Sequence, residues 1–233
     1  MTRRSTFRSA AAALCLAAAA AAPLLAADAA ASPAAAQASS PGADQVAQAG
    51  LSARDEADIA RIEAYLNSIR TLRSRFLQAA PDGSLARGTF FMQRPGKMRI
   101  EYDPPIGNYI VADGWFIHFW DAELRQQSNA PIGSTLAELI LRDDLLLSGA
   151  VTVNDIQRGP GRIEIELVET KDPAKGRLTL VFEDSPLRLR KWRVLDAQGL
   201  TTEVALLDPQ FGMPLDRRLF TFVSPDFGRF RGD

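Results

Sequence analysis

The side chains of this sequence that could act in catalysis are few and lie far apart along the chain. The sole histidine, His118, has no cysteine to pair with, because the single cysteine, Cys15, lies in the first thirty residues. Glu164 and Glu166 share one face of a predicted strand and could form an acid and base pair, but the apolar residues between them define the buried face. We therefore interpret both as solvent-exposed. No nucleophile elbow, phosphate loop or zinc-binding motif occurs, so the sequence predicts no catalytic residue, no metal site and no cofactor.

Composition excludes a further class of function. The chain of 233 residues has 27 basic and 28 acidic side chains, and the first 27 residues contribute Arg3, Arg4 and Arg8 but no acid. The remaining body is mildly acidic, and it lacks the basic stripe that phosphate neutralisation needs. We therefore expect no binding to nucleic acid. The hydrophobic fraction of 46% is inflated by alanines before Leu51, yet Leu, Ile, Val and Phe stay frequent after it, which is enough for one core.

The N-terminus resembles an export signal. Residues 1–27 combine three arginines, an alanine-rich apolar stretch and a small-residue cleavage site. Pro23 breaks the apolar stretch, which is too short and too weakly apolar for a membrane-spanning helix. Residues 28–51 are rich in Ala, Pro and Ser and predict a flexible leader. We expect an exported protein with its signal peptide cleaved and a single domain at 52–233.

The body opens with one helix and continues as strands. Ser52 is a plausible N-cap with Asp55 three residues on, and the spacing of Ile59, Ile62 and Leu66 places apolar side chains on one helix face. Beyond residue 70 the apolar period changes to two, and turn residues separate the segments. The predicted strands cover 71–79, 85–94, 97–103, 108–113, 115–121, 124–128, 151–158, 162–169, 176–182, 187–195 and 200–207, with a short closing strand at 220–222.

A helical insert at 131–147 interrupts this meander, with Leu136, Leu139 and Ile140 on one side. The strand at 115–121 is apolar on both faces, so one region of the sheet is covered on two sides. The concave face of an antiparallel barrel has to be filled by side chains, by a helix or by a ligand. Two interpretations follow: the rings pack against the helices, or they line a hydrophobic ligand cavity with the helices as its lid.

Three motifs in the first half of the body follow one another in a fixed order. They are Phe76-x-Gln78, the run 88–102 around Arg94-Pro95-Gly96-Lys97, and Val111-Ala112-Asp113-Gly114. In this order they resemble the periplasmic outer-membrane lipoprotein carrier (LolA) family. The resemblance implies a mainly β fold with some α: an unclosed antiparallel β-barrel of about eleven strands, with a short-helix lid over a hydrophobic cavity.

The resemblance also implies roles for individual residues. Arg94 matches the arginine that latches the closed lid, Met98 and Ile100 fall on cavity positions that are aromatic in the family, and Ile110 falls on an apolar wall. Strand alternation places the apolar residues of 90–102 on one face. The predicted cavity lining is Phe90, Met92, Met98, Ile100, Tyr102, Ile110, Phe116, His118 and Trp120, and the predicted lid residues are Leu136, Leu139 and Ile140.

By the same resemblance, the chain is expected to be a monomeric periplasmic carrier and not an enzyme. It would take acylated lipoproteins from an inner-membrane ABC transporter, hold their acyl chains, and pass them to an outer-membrane receptor. Three alternatives stay open. A carrier of another envelope lipid would share the fold; a hydrolase of envelope lipids would need a serine and an aspartate to converge on His118; a sensor with a collapsed core would have no cavity.

Overall fold

The computed structural model of the protein describes residues 51–135 and 137–225. The predicted signal peptide, the predicted leader up to residue 50, and Leu136 of the predicted lid lie outside these residues. The described chain has two helices and eleven strands, with 3-10 turns at Ile132–Ser134, Pro173–Lys175 and Arg217–Phe220. The elements are α1 (Ala53–Ser68), β1 (Thr71–Ala79), β2 (Leu85–Gln93), β3 (Lys97–Tyr102), β4 (Tyr109–Asp113), β5 (Phe116–Asp121), β6 (Gln126–Pro131), α2 (Ala137–Leu141), β7 (Val151–Gly159), β8 (Arg162–Glu169), β9 (Gly176–Asp184), β10 (Leu187–Asp196) and β11 (Thr201–Phe211).

All eleven strands form one antiparallel sheet, in the order β6-β5-β4-β3-β2-β1-β11-β10-β9-β8-β7. The edge strands β6 and β7 do not pair with each other, so the sheet is an unclosed barrel and the predicted fold is confirmed. The two edge strands follow one another in the chain. The segment that joins them, residues 132–150 (the insert), therefore links the two sides of the opening and carries α2.

The predicted closing strand at 220–222 is wrong. Residues Arg217–Phe220 form a 3-10 turn that begins with the Asp216 side chain accepting a hydrogen bond from the amide of Arg218. Three alternating residues are too few to distinguish a strand from a turn. No helix in the described part of the chain is long and apolar enough to cross a membrane.

The core lies on the concave face of the sheet. Pairing of β2 with β3 places Phe90 opposite Ile100 and Met92 opposite Met98, and all four side chains are at most 4% exposed. Cross-strand partners share a face of the sheet, so this register brings the apolar side chains of both strands together. The same cluster contains buried leucines and isoleucines of β8 and β9, of α1 and of the insert. The helices therefore fill the concave side.

One contact between strands leaves no room for a side chain. The Phe76 ring of β1 lies against Gly88 of β2, and a Cβ at Gly88 would be 2.6 Å from that ring and 2.1 Å from the carbonyl oxygen of Glu101. Phe76 also meets the Tyr102 ring edge to face, with centroids 5.4 Å apart. Glycine at position 88 is therefore a packing requirement of this part of the sheet.

Helix α1 is capped and tied to β7 by charged groups. Ser52 and Asp55 form a capping box, in which each side chain bonds the other residue's backbone amide. The Arg158 guanidinium of β7 contacts Asp55 at 2.6 Å and Asp58 at 2.7 Å. These contacts fix the first turns of α1 over one edge of the sheet. The buried residues of α1, Ile62 and Leu66, then face the core.

Acid is expected to remove the contribution of Asp55 to stability. The Ser52 hydroxyl, followed by the Arg158 guanidinium, lowers the pKa of the Asp55 carboxyl from 3.8 to about 2. A carboxyl whose pKa is lower in the folded state stabilises the fold above its unfolded pKa, and this contribution is lost as the pH falls from about 4 to 2. Asp55→Asn should be less stable than wild type in urea unfolding at pH 7, and the two proteins should converge towards pH 2. A difference that stays constant with pH would contradict this.

Candidate functional site

An apolar cavity of about 70 Å³ lies between the concave face of the sheet and the two helices. Arg94 is the one charged residue of its wall. The volume is far below the roughly 300–1,000 Å³ of pockets that enclose a drug-sized ligand. A long acyl chain therefore fits only if the helices move. The cavity is lined by Leu66, Ile69, Leu72, Phe90, Met92, Arg94, Met98, Ala137, Ile140, Leu178, Leu180, Leu189, Trp192 and Val194.

Arg94 joins both helices at the end of β2. Its Nε donates to the carbonyl oxygen of Ile140 in α2 at 2.7 Å, and a terminal nitrogen donates to the carbonyl of Leu66 in the last turn of α1, also at 2.7 Å. The residue is 7% exposed, and burial lowers the pKa of its guanidinium to about 10. The group is still charged at neutral pH. Carbonyls near helix C-termini are suitable acceptors for a buried cation, so Arg94 holds the helices together at this point.

Further hydrogen bonds fasten the insert. The Asn67 side chain both donates to the carbonyl of Leu145 at 2.9 Å and accepts from its amide at 2.8 Å. The amide of Gly96, in the turn after Arg94, donates to the carbonyl of Leu141 at 2.8 Å. Each such bond contributes about 0.5–1.5 kcal/mol net, so the set is strong enough to close the insert over the cavity and weak enough to be broken.

The structure brings five of the predicted site residues together around the cavity. Others lie in the core next to it: Ile100 and Ile110 are fully buried, Leu139 is 5% exposed, and the Tyr102 hydroxyl donates to Gln78 at 2.7 Å. Whether any of them contacts a lipid stays a prediction. The five that line the cavity are Phe90, Met92, Arg94, Met98 and Ile140.

Three residues that were predicted to line the cavity lie on the opposite, convex face of the sheet, so their assignment to the cavity lining is wrong. The register pairs Ile117 with Ala112 on the concave side, so Phe116, His118 and Trp120 alternate to the other side. Phe116 is 47% exposed. The alternation of β5 could not reveal this, because both of its faces are apolar.

His118 contacts an aspartate, but none of its hydrogen-bond partners in the described residues is the serine that a hydrolase also needs. Its Nε2 lies 2.9 Å from a carboxylate oxygen of Asp113 and its Nδ1 lies 2.9 Å from Oδ1 of Asn129. The ring stacks on Phe222 with centroids 5.1 Å apart. No serine is among its hydrogen-bond partners within residues 51–135 and 137–225. The same residues contain no group of three or more metal-binding side chains.

Glu164 differs from the sequence interpretation as well. It is 8% exposed, because Arg162 and Arg193 pair with it on the convex face of the sheet. The side chain does point away from the apolar core, as alternation predicts. Arg162 of the same strand and Arg193 of β10, two strands away, cover it, which a pattern within one strand does not show.

Sequence reasoning missed the cavity wall formed by the second half of the sheet. This wall is made of Leu178 and Leu180 of β9 together with Leu189, Trp192 and Val194 of β10. A bulge between residues 189 and 191 shifts the register of β10. After Leu189 the next inward-facing residue is therefore Trp192 rather than Lys191. A strict period of two along β10 does not connect these residues. The two alternating leucines of β9, Leu178 and Leu180, were the one feature of the sequence that could have indicated this wall.

Comparison with known sequences gives consistent names. The family model described as outer membrane lipoprotein carrier protein LolA matches residues 67–223. An outer-membrane lipoprotein carrier protein from Methylococcus capsulatus is 30% identical over 175 residues, which cover 71% of this chain and 83% of that protein. One from Pseudomonas aeruginosa is 26% identical over 182 residues, covering 74% and 86%.

Solved structures are similar at lower identity. A LolA superfamily protein from Nitrosomonas europaea has a TM-score of 0.39 and 15% identity, covering 70% of this chain and 97% of that chain. An uncharacterised conserved protein from Thermus thermophilus has a TM-score of 0.45 and 11% identity, covering 73% and 95%.

Proposed function

Because the chain belongs to the outer membrane lipoprotein carrier protein LolA family, we propose that it carries lipoproteins across the periplasm by enclosing their acyl chains in the cavity. The observation that carries this proposal is the apolar cavity closed by an insert that Arg94 holds in place. In this proposal, residues 1–27 are a cleaved signal peptide, residues 28–51 a leader, and residues 52–233 a monomeric carrier domain.

The energetics of acyl chains explain why a cavity is needed. Withdrawing a 16-carbon chain from a membrane costs on the order of 0.8 kcal/mol per CH₂ group, or about 12 kcal/mol for one chain. A carrier competes only if it offers a comparable apolar surface. The wall is mostly aliphatic and contains Met92 and Met98, whose flexible side chains adapt to different chain shapes.

Loading and release then follow from the small closed volume. Acyl chains enter when the insert separates from Arg94 and Asn67, which enlarges the space between α2 and the sheet. The empty protein regains the hydrogen bonds to Ile140, Leu66 and Leu145 when it closes, so closure favours release. In the proposed cycle an inner-membrane ABC transporter supplies the lipoprotein, an outer-membrane receptor accepts it, and the carrier itself needs no nucleotide, cofactor or catalytic residue.

Binding assays with matched cargo test this function. The purified protein is mixed with a detergent-solubilised triacylated lipoprotein, or with the same lipoprotein lacking its acyl chains, and complexes are separated by size exclusion. The acylated form should co-elute with the carrier and the unacylated form should not. Equal binding of both forms, or of neither, would overturn the proposal. Mass spectrometry of material that co-purifies from the periplasm identifies another lipid if the chain carries one instead.

Arg94→Leu is expected to slow release of the cargo while the domain stays folded. The substitution keeps apolar volume but removes the donors to Ile140 and Leu66, which weakens the closed state by about 1–3 kcal/mol. Since about 1.4 kcal/mol corresponds to a tenfold change, transfer to the receptor should slow about tenfold. The control is Arg87→Leu, because Arg87 is an exposed arginine of β2, the strand that ends just before Arg94. Wild-type transfer kinetics in Arg94→Leu would show that Arg94 is not a latch.

A further inference from the structure

The turn between β4 and β5 presents a tryptophan to solvent. Trp115 is 81% exposed, and its neighbour Phe116 is 47% exposed. The backbone beneath them is fixed: Asp113 Oδ1 accepts hydrogen bonds from the amides of Trp115 and Phe116 at 2.8 and 2.9 Å, and the carbonyl of Trp115 accepts one from Ile132 at 3.0 Å. These three bonds hold the turn in one shape, so the indole is presented by an ordered tip rather than by a loose loop.

This tip lies beside the point where the insert is fastened. A Cβ built on Gly96 would be 2.9 Å from the Cα of Gly114, so the turn after Arg94 and the turn before Trp115 are in direct backbone contact. Gly96 in turn donates to the carbonyl of Leu141 at the end of α2. The exposed tryptophan therefore lies on the rim of the barrel, beside the point where the end of α2 is fastened.

We propose that this tip, Trp115 with Phe116, is a membrane contact that enters the headgroup region of a bilayer. Tryptophan prefers this region because its ring is largely apolar and its N–H can still find a hydrogen-bond partner. Two rings on a narrow turn suit a bilayer interface better than a protein partner, since a stable protein interface buries about 800 Å² on each side.

The position of the tip gives the contact a purpose. With Trp115 in the headgroups, the turn that carries Arg94 and the end of α2 lie at the membrane surface, so an acyl chain leaving the cavity passes to the outer-membrane receptor with little exposure to water. Only this use in delivery rests on the proposed function; the contact itself does not depend on the cargo.

Vesicle binding by the empty protein tests the contact. Vesicles of phosphatidylethanolamine and phosphatidylglycerol, with or without brominated acyl chains, are mixed with wild type, Trp115→Ala, Trp115→Tyr and Leu124→Ala. Leu124 is the matched control, because it is 55% exposed in the turn at the other end of β5. Wild type should float with the vesicles, and its tryptophan emission should shift to the blue and be quenched by bromine. Trp115→Ala should reduce partitioning at least tenfold and abolish the quenching, Trp115→Tyr should retain part of the binding, and Leu124→Ala should match wild type.

Two results would overturn the inference: no vesicle binding by wild type, or equal binding by Trp115→Ala. If wild type ignores vesicles and Trp115→Ala fails only in transfer to a receptor protein, the tip is a protein contact and the membrane proposal is wrong. Loading of Trp115→Ala with solubilised lipoprotein is measured in parallel. Normal loading with lost vesicle binding separates this inference from the carrier function, and a failure of loading in wild type would count against the carrier function alone.

Discussion

Replacing Met98 by glutamate is expected to reduce loading with acylated lipoprotein at least 100-fold while the domain stays folded. Met98 is 2% exposed and lies beside Met92, its partner on the adjacent strand, in the cavity wall. Burying an uncharged polar group without a hydrogen bond in an apolar environment costs about 2–7 kcal/mol, and burying an ionised carboxylate beside an acyl chain costs more. In the empty protein the new carboxylate shares the cavity with the Arg94 cation and can pair with it, so the fold tolerates the charge better than the cargo does.

Met98→Leu is the matched control for this prediction. A swap of similar volume within an apolar wall costs less than about 1.5 kcal/mol, so Met98→Leu should load normally. Co-elution with lipoprotein measures loading, and far-UV circular dichroism with thermal unfolding measures the fold. Unfolding of Met98→Glu would mean that the site is a packed core, and unchanged loading would mean that the cargo binds elsewhere.

Gly88→Ala is expected to destabilise the domain by more than about 4 kcal/mol, which is at the upper end of single substitutions. The added methyl group would overlap the carbonyl oxygen of Glu101 at 2.1 Å and the Phe76 ring at 2.6 Å. The ring can rotate only against Tyr102, and the carbonyl belongs to the β2–β3 ladder. Strands β2 and β3 therefore have to separate, which breaks hydrogen bonds that the buried sheet cannot replace.

Gly133→Ala tests whether this effect is specific to the site. A Cβ at Gly133 would have its nearest neighbour, a carboxylate oxygen of Glu138, at 3.8 Å, which is an ordinary contact. Its stability in urea should stay within about 0.5 kcal/mol of wild type. Equal stability of Gly88→Ala and Gly133→Ala would show that β1 and β2 are not packed as described.

The strands and the first half of the cavity wall could be predicted because polar and apolar residues alternate there with few exceptions. In 90–100, Phe90, Met92, Met98 and Ile100 lie on one face, and apart from Phe91 the residues beside them are charged or polar, so one register satisfies all four. A shift by one residue would bury Lys97 and leave this apolar set exposed. Local patterning was therefore sufficient to decide which face is concave.

The rest of the site depends on contacts between residues distant in sequence. On β5 both faces are apolar, and the convex face is covered partly by Phe222, about a hundred positions later. The amide of Asn67 binds Leu145, and no pattern near either residue indicates this bond. The bulge in β10 changes which residues face inward after Leu189. Each of these is decided by the tertiary structure, which a short sequence window does not contain.

The strand order has a consequence for how the chain reaches its native state. Nine of the ten strand pairings join neighbours along the chain, and only β1 with β11 joins distant segments, as in the pair Phe76 and Leu206. Hairpins on either side of this seam can form early, because short loops cost little entropy to close. The seam waits for residues 201–211, which are synthesised last among the strands. Until then β1 presents an unpaired edge that contains Leu72 and Phe76, so the speed of seam closure decides how long newly made chains are exposed to aggregation.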